Sequence, residues 1–271
     1  MAIHICCACG TSYPDAQEPP SRCPVCEDER QFVPRGGQAW TTRQKLASGH
    51  VNAWRQLETD LFEIHTHPGF GIGQRALLLR TPEGNILWDC IALLDDATEA
   101  LVRALGGLRM IAISHPHYYT CMQDWAHAFG CPVHLHAADA DWVMRPDPAI
   151  RHWQGDTLEI AADVTLLRLG GHFPGGTVLH WAKAVDGRGA VLSGDIVQVA
   201  ADVSRVSFLW SYPNMMPLSA AAVGRIGAAL APWRFDRIYG AFPGREVTTE
   251  GAAAVQRSVA RYIELLEGDQ S

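Results

Sequence analysis

The sequence predicts a layered α/β fold with a small cysteine-held segment in front of it. Three observations carry that expectation. From about residue 53 onward, apolar runs of strand length alternate with helical segments and with glycine or proline turns. One of these runs, Arg109-Met110-Ile111-Ala112-Ile113, stops abruptly at His115 and His117, and the residues from Cys121 to Phe129 then read as a helix. Reactive groups placed where a buried strand gives way to a helix sit at the open end of a sheet, where layered α/β proteins bind their ligands. The third observation is the first ~35 residues, which hold two cysteine pairs and too little apolar surface for a core.

The 271 residues suffice for one large domain and a small appendage. The chain is 48% hydrophobic and 19% charged, an ordinary globular balance. Its net charge of -7 leaves no overall footprint for a phosphate backbone, so a small-molecule substrate is a better expectation than nucleic acid. Homo-oligomerisation is left open. Met1-Ala2-Ile3-His4-Ile5-Cys6 has no basic region followed by an apolar core, and no apolar run approaches the roughly 20 residues that span a bilayer. The expectation is a cytoplasmic protein with no membrane partner, whose cysteines are reduced thiols or metal ligands.

Cys6-Cys7-Ala8-Cys9-Gly10 gives one CxxC turn and Cys23-Pro24-Val25-Cys26 the other. Each aims two thiolates inward, so Cys6, Cys9, Cys23 and Cys26 predict a tetrahedral all-thiolate site in a ribbon over residues 1–35. A segment this short is held together by its metal. Zn2+ is the first expectation. Iron is the second, because the two knuckles also resemble those of rubredoxin, although the loop between them is much shorter here. Cys7 reads as a spare thiol. Residues 36–52 read as a linker with a short helix near Thr42 to Ala47, and residues 53–271 as the large domain.

Within the large domain, Leu61 to His65 reads as a strand, and Pro68 to Gly73 as a glycine-rich loop that lacks the phosphate-loop GK[ST]. Ala76 to Arg80 and Asn85 to Asp89 form a hairpin, and a helix from Asp95 to Leu105 stops at Gly106-Gly107. His115 and His117 lie at i and i+2, so on a straight strand both rings would face one ion. His134 and His136 repeat that spacing, but inside a strand, and read as structural. Strands follow at 157–160, 164–169, 177–181 and 189–192. His172 sits in the turn Gly170-Gly171-His172-Phe173-Pro174-Gly175-Gly176, and Ser193-Gly194-Asp195 ends the last of these strands. Trp210 to Pro217 is an apolar, aromatic stretch that lines a pocket or packs as a core loop. A helix from Leu218 to Leu230, a strand at Arg237 to Tyr239 and a helix from Glu250 to Leu266 complete the chain.

This order of elements and motifs resembles the metallo-β-lactamase superfamily over roughly residues 53 to 266. The resemblance implies a four-layer αββα sandwich, two sheets face to face with helices outside and a metal site at one edge. Asp89 matches that family's strand-terminal aspartate. His115 and His117 match the first two positions of its HxHxDH motif, His172 the isolated histidine of its GHTPG-like turn, and Asp195 its metal-bridging aspartate. Two departures stand out. The motif calls for aspartate at position 119 and histidine at position 120, where this chain has Tyr119 and Thr120. The family's last histidine belongs within Gly240 to Arg245, which has none. In two-metal members these positions hold the second ion, so the resemblance implies a single ion here. His65, His67 or Asp124 could stand in, but nothing in the sequence requires it.

Three imidazoles and one carboxylate suit zinc, iron or manganese. With Zn2+ the implied chemistry is hydrolysis of a small ester, thioester, lactone or phosphoester. With Fe2+ the set resembles the ligands of mononuclear iron oxygenases, among them the persulfide dioxygenases of the same superfamily. A third reading is a non-catalytic binding module with a vestigial metal site. Beyond the ligands, Tyr119 and Asp89 are the catalytic candidates. Tyr119 either donates to a developing oxyanion or fills the vacated volume. Asp89 supports the ligands or the local fold. Arg245 contacts an anionic substrate or lies in solvent.

Overall fold

The computed structural model describes residues 1–268, so positions 269–271 of the expected large domain lie outside the described residues. The chain divides into two compact units, Met1–Trp153 and Gln154–Ser271.

In the first unit, β1 (Ala2–Cys6) pairs antiparallel with β2 (Ser12–Ala16) and with β3 (Trp40–Thr41). The stretch read as a linker thus lends a strand to the ribbon, with Trp40 opposite Cys6. The short helix expected there spans Arg43–Gly49 and begins at Thr42, whose hydroxyl accepts the Lys45 N–H at 3.4 Å. Trp40, Trp142 and Met144 pack against the buried cysteines, Tyr13 and Val25. Two of these contacts come from more than a hundred residues downstream, so the ribbon is docked within this unit.

A seven-stranded sheet follows. Its strands are β4 (Val51–Glu58), β5 (Leu61–His67), β6 (Arg75–Leu79), β7 (Ile86–Trp88), β8 (Met110–Ala112), β9 (Val133–His136) and β10 (Ile150–Trp153), in the order β10-β9-β8-β7-β6-β5-β4. From β4 to β7 the pairing is antiparallel, and from β7 to β10 it is parallel. Strands β6, β7 and β8 are buried along their whole length, which explains the apolar runs at 76–79, 86–88 and 110–112. The edge strands β4 and β10 carry polar residues and stay partly exposed, so neither declares itself as a strand in the sequence. Asp95 caps the helix Asp96–Ala104, its carboxylate accepting the Thr98 N–H at 2.7 Å. Buried Glu63 is clamped by Arg75 at 2.5 Å and Arg55 at 2.9 Å.

In the second unit the strands are β11 (Thr157–Ala161), β12 (Val164–Arg168), β13 (Thr177–Trp181), β14 (Ala190–Gly194), β15 (Gln198–Val199), β16 (Val206–Ser207), β17 (Leu209–Ser211), β18 (Met216–Pro217), β19 (Arg237–Gly240) and β20 (Glu246–Val247). Six form one sheet in the order β11-β12-β13-β14-β19-β20, while β15–β16 and β17–β18 are separate small hairpins. All neighbours in the six-stranded sheet are antiparallel except β14 and β19. A parallel pair needs a crossover, and the helix Ala220–Leu230 lies in it. Val223 and Ile226 of that helix share a core with Val178, Val191 and Ile238 from the strands, Phe208 between β16 and β17, and Val255 and Val259 from the final helix, Gly251–Glu267.

Candidate functional site

The four ribbon cysteines meet in one buried cluster. Cys6 Sγ lies 3.7 Å from Cys26 Sγ, and Cys9 Sγ lies 3.6 Å from Cys23 Sγ. A disulfide would need about 2 Å. A metal–sulfur bond of about 2.3 Å in a tetrahedron puts its sulfurs about 3.8 Å apart, so these spacings fit one all-thiolate ion. Tyr13 Oη donates to Cys23 Sγ at 3.0 Å, and Thr11 Oγ1 is 3.2 Å from Cys9 Sγ. Within the cluster, hydrogen bonds from Cys26, Cys6 and Cys9 hold the Cys23 thiol below its ordinary range, while those involving Cys23 push the Cys9 and Cys26 thiols above it. Cys7 stands outside the cluster, and burial pushes its thiol up.

The His115-Pro116-His117 motif is not a straight strand. β8 ends at Ala112, His115 is extended, and Pro116–Tyr118 form a 3-10 turn. The proline fixes the φ that starts such a turn, so the two rings meet through a bend instead of strand alternation. Their centroids are 5.0 Å apart at 72°, and both side chains are buried. Ser114 Oγ lies 2.9 Å from His115 Nδ1, which ties down one ring nitrogen and orients the other. The Ser114 N–H donates to the Asp89 carboxylate at 2.7 Å. Tyr118 packs its ring on His115 at 4.5 Å. Tyr119 is also buried, and burial together with the Asp139 charge keeps its phenol protonated far above the ordinary tyrosine value.

In the second unit, His172 is buried in its glycine turn, which closes through the Leu169 and Gly170 N–H groups onto the Gly176 carbonyl at 2.8 and 3.0 Å. Gly171 has φ +81°, and a Cβ there would come within 2.9 Å of Ile226 Cδ1. His172 Nδ1 lies 3.1 Å from the Leu209 carbonyl, so Nδ1 carries the hydrogen and Nε2 keeps its lone pair. Asp195 is buried just beyond the end of β14. Tyr212 Oη donates to the Asp195 carbonyl at 2.7 Å, and its ring meets that of His172 at 5.4 Å. Sequence reasoning marked the aromatic stretch around Tyr212 without giving this tyrosine a role.

Of the stand-in ligands, His67 is exposed. Asp124 pairs with Arg145 at 2.6 Å, and His65 Nδ1 lies 3.9 Å from Glu63. His136 Nδ1 accepts the Ala138 N–H at 3.1 Å. Arg245 donates to the Ala200 carbonyl at 3.0 Å. The glycine-rich loop Pro68 to Gly73 serves the ribbon: a Cβ at Gly71 would approach the Cys9 carbonyl carbon to 3.2 Å. Among the described residues, no helix is long and apolar enough to cross a membrane.

Solved structures place this architecture. The DIM-1 metallo-β-lactamase matches with a TM-score of 0.59 at 13% identity, over 77% of this chain and 95% of that one. A B3 metallo-β-lactamase with an active-site glutamic acid matches with a TM-score of 0.53 at 15% identity, over 94% of this chain and 100% of that one. The SMB-1 metallo-β-lactamase matches at 0.51 and 19% identity, over 74% and 92% of the two chains. The chain therefore has the metallo-β-lactamase fold, with a four-cysteine, zinc-ribbon-like segment at its N-terminus. No family model matches it. By sequence it is 44% identical over 271 residues to "Uncharacterized protein YmaE" of Bacillus subtilis (strain 168), covering 99% of this chain and 98% of that protein, and it belongs to the YmaE family.

Proposed function

We propose that His115, His117, His172 and Asp195 hold one metal ion, and that the protein is a metal-dependent hydrolase of a small ester, thioester, lactone or phosphoester. The donor set carries this reading: His115 and His117 are buried in the first unit and His172 and Asp195 in the second, three imidazoles and one carboxylate in all. The set suits zinc chemically, and iron or manganese as well. The metallo-β-lactamase fold supports a hydrolytic role. A bound zinc ion supplies Lewis acidity and a water that is acidic near neutral pH.

The chain's own groups prepare that chemistry. Ser114 ties down the ring plane of His115, and the Leu209 carbonyl sets the tautomer and ring plane of His172. Tyr212 fixes the backbone at Asp195 and, with its phenol pushed well above the ordinary value by burial and by Asp195, stays a neutral donor. Asp89 positions Ser114 and, through it, His115. Tyr119 fills volume beside Asp139, so its part is structural. The ribbon ion, taken as zinc, is likewise structural.

Zinc-loaded protein assayed with p-nitrophenyl acetate, an acyl thioester, a γ-lactone and bis(p-nitrophenyl) phosphate tests the reading. Turnover of one class, lost on chelation and in His172→Ala, is the expected result. A second ion held by His172 with no turnover of any class overturns the hydrolase reading. Iron in that place on purification, with oxygen uptake, replaces it with an oxygenase.

A further inference from the structure

Gln31 lies in the ribbon segment, five residues past Cys26, and is buried. Its side-chain amide meets His117 Nδ1 at 3.5 Å, and with the amide oxygen turned to the ring it accepts the Nδ1 hydrogen and leaves Nε2 its lone pair for a metal. A residue of the cysteine knuckle thus reaches a side chain of the histidine motif. Its place is set by the knuckle itself. The Gln31 N–H donates to the Asp28 carbonyl at 2.9 Å. Its neighbour Arg30 is clamped by the Asp28 carboxylate at 2.6 and 2.9 Å and lies over the Trp142 ring at 5.1 Å. Trp142 in turn packs against the cysteine cluster.

A second contact runs beside the first. The N–H and the hydroxyl of Ser12 both donate to the Thr120 carbonyl, at 3.0 and 2.8 Å. Thr120 has φ +35°, a left-handed backbone that a β-branched residue adopts only when its surroundings impose it. The ribbon therefore braces the motif on both sides, at His117 and at Thr120.

We infer that Gln31 is a positioning residue for His117, and that the ribbon's metal thereby governs how tightly the histidine centre holds its own ion. The inference rests on the proposed role of His117 as a ligand. An imidazole lone pair lies in the ring plane, so a partner that fixes the plane fixes the direction of ligation. Without its metal the cysteine knuckle loses the bonds that tie its two turns together, and Gln31 loosens from the ring. The order of loading follows: ribbon first, histidine centre second.

Cobalt(II) titration of the metal-free full-length protein tests this, because thiolate charge-transfer bands report the cysteines and ligand-field bands the histidines. In Gln31→Met, close in volume but without the amide, the cysteine bands persist and affinity at the histidine centre falls about 10- to 100-fold. Gln31→Glu, whose carboxylate accepts the Nδ1 hydrogen as the turned amide oxygen does, recovers most of that loss. If Gln31→Met also loses its cysteine bands, Gln31→Asn decides in its place by the same criterion. Unchanged or tighter binding at the histidine centre overturns the inference, while His117→Ala still abolishing that binding leaves the proposed function standing. A wild-type protein that takes up only cysteine-bound cobalt overturns both.

Discussion

The Asp89 carboxylate accepts the backbone N–H of Ser114 at 2.7 Å. The bond joins the ends of two adjacent parallel strands, β7 and β8, one residue before His115. Asp89 holds this place at φ +59°, a backbone state that costs a non-glycine residue of order 1–3 kcal/mol and persists only where the surroundings hold it. Ser114 then passes the constraint on through its hydroxyl, 2.9 Å from His115 Nδ1.

Asp89→Ala removes the acceptor and leaves a buried N–H behind, at a cost of about 1–3 kcal/mol. It also loosens His115, so metal affinity at the histidine centre falls by about 10- to 100-fold. Asp89→Asn keeps an acceptor oxygen and is the milder change. Urea unfolding with and without added zinc separates the two effects, because ligation adds to stability only through the folded state.

The ribbon separates its cysteines by role. Cys26→Ser breaks the cluster in which Cys6 Sγ sits 3.7 Å away, and one metal equivalent is lost together with protease resistance before residue 40. Cys7→Ser leaves both unchanged, since Cys7 is outside the cluster. Elemental analysis and limited trypsin digestion of the two variants give the answer.

The two buried phenols also part company. Tyr212→Phe deletes the donor to the Asp195 carbonyl and costs about 1 kcal/mol of stability, with a measurable fall in hydrolysis as Asp195 loses its anchor. Tyr119→Phe keeps the hydrolytic rate within about twofold, and Tyr119→Ala destabilises by about 3–5 kcal/mol through the cavity it opens. A large rate loss in Tyr119→Phe with unaltered stability would return a catalytic role to that phenol.

Gly171→Ala forces a Cβ against Ile226 and Leu218, at 2.9 and 3.0 Å, in a left-handed backbone. We expect about 2–4 kcal/mol of destabilisation and a displaced His172. Thermal unfolding and zinc affinity should fall together.

Acid should weaken the fold through buried histidines. His180 Nε2 donates to the Arg234 carbonyl at 2.9 Å, and burial pushes its pKa below the ordinary 6.5 despite that bond. His134 is lowered too, by burial and then by Arg151 and Arg109. The unfolded chain therefore takes up protons first, so stability is full above pH 6.5 and declines as pH falls toward the lowered folded values. The urea midpoint should be lower at pH 5 than at pH 7.5, and His180→Gln should reduce the difference.

Much of this was legible in the sequence because the signals were local. Paired cysteines, a strand that stops at a histidine and a histidine within a run of glycines each carry their chemistry in a few adjacent residues. The elements that escaped are those whose stability comes from elsewhere. Trp40–Thr41 becomes a strand only because Cys6 and Ile5 lie alongside. The turn at Pro116–Tyr118 replaces the straight strand that the spacing alone suggested. Tyr212 and Gln31 gain their roles from distant partners, Asp195 and His117, that no spacing rule connects.

Metal stoichiometry tests the central claim most directly. Protein purified without added metal, then dialysed and measured by inductively coupled plasma mass spectrometry, should hold two ions per chain. His172→Ala should keep only the cysteine-bound ion. A single ion per chain in the wild type, unchanged in His172→Ala and lost in Cys23→Ser, would contradict it.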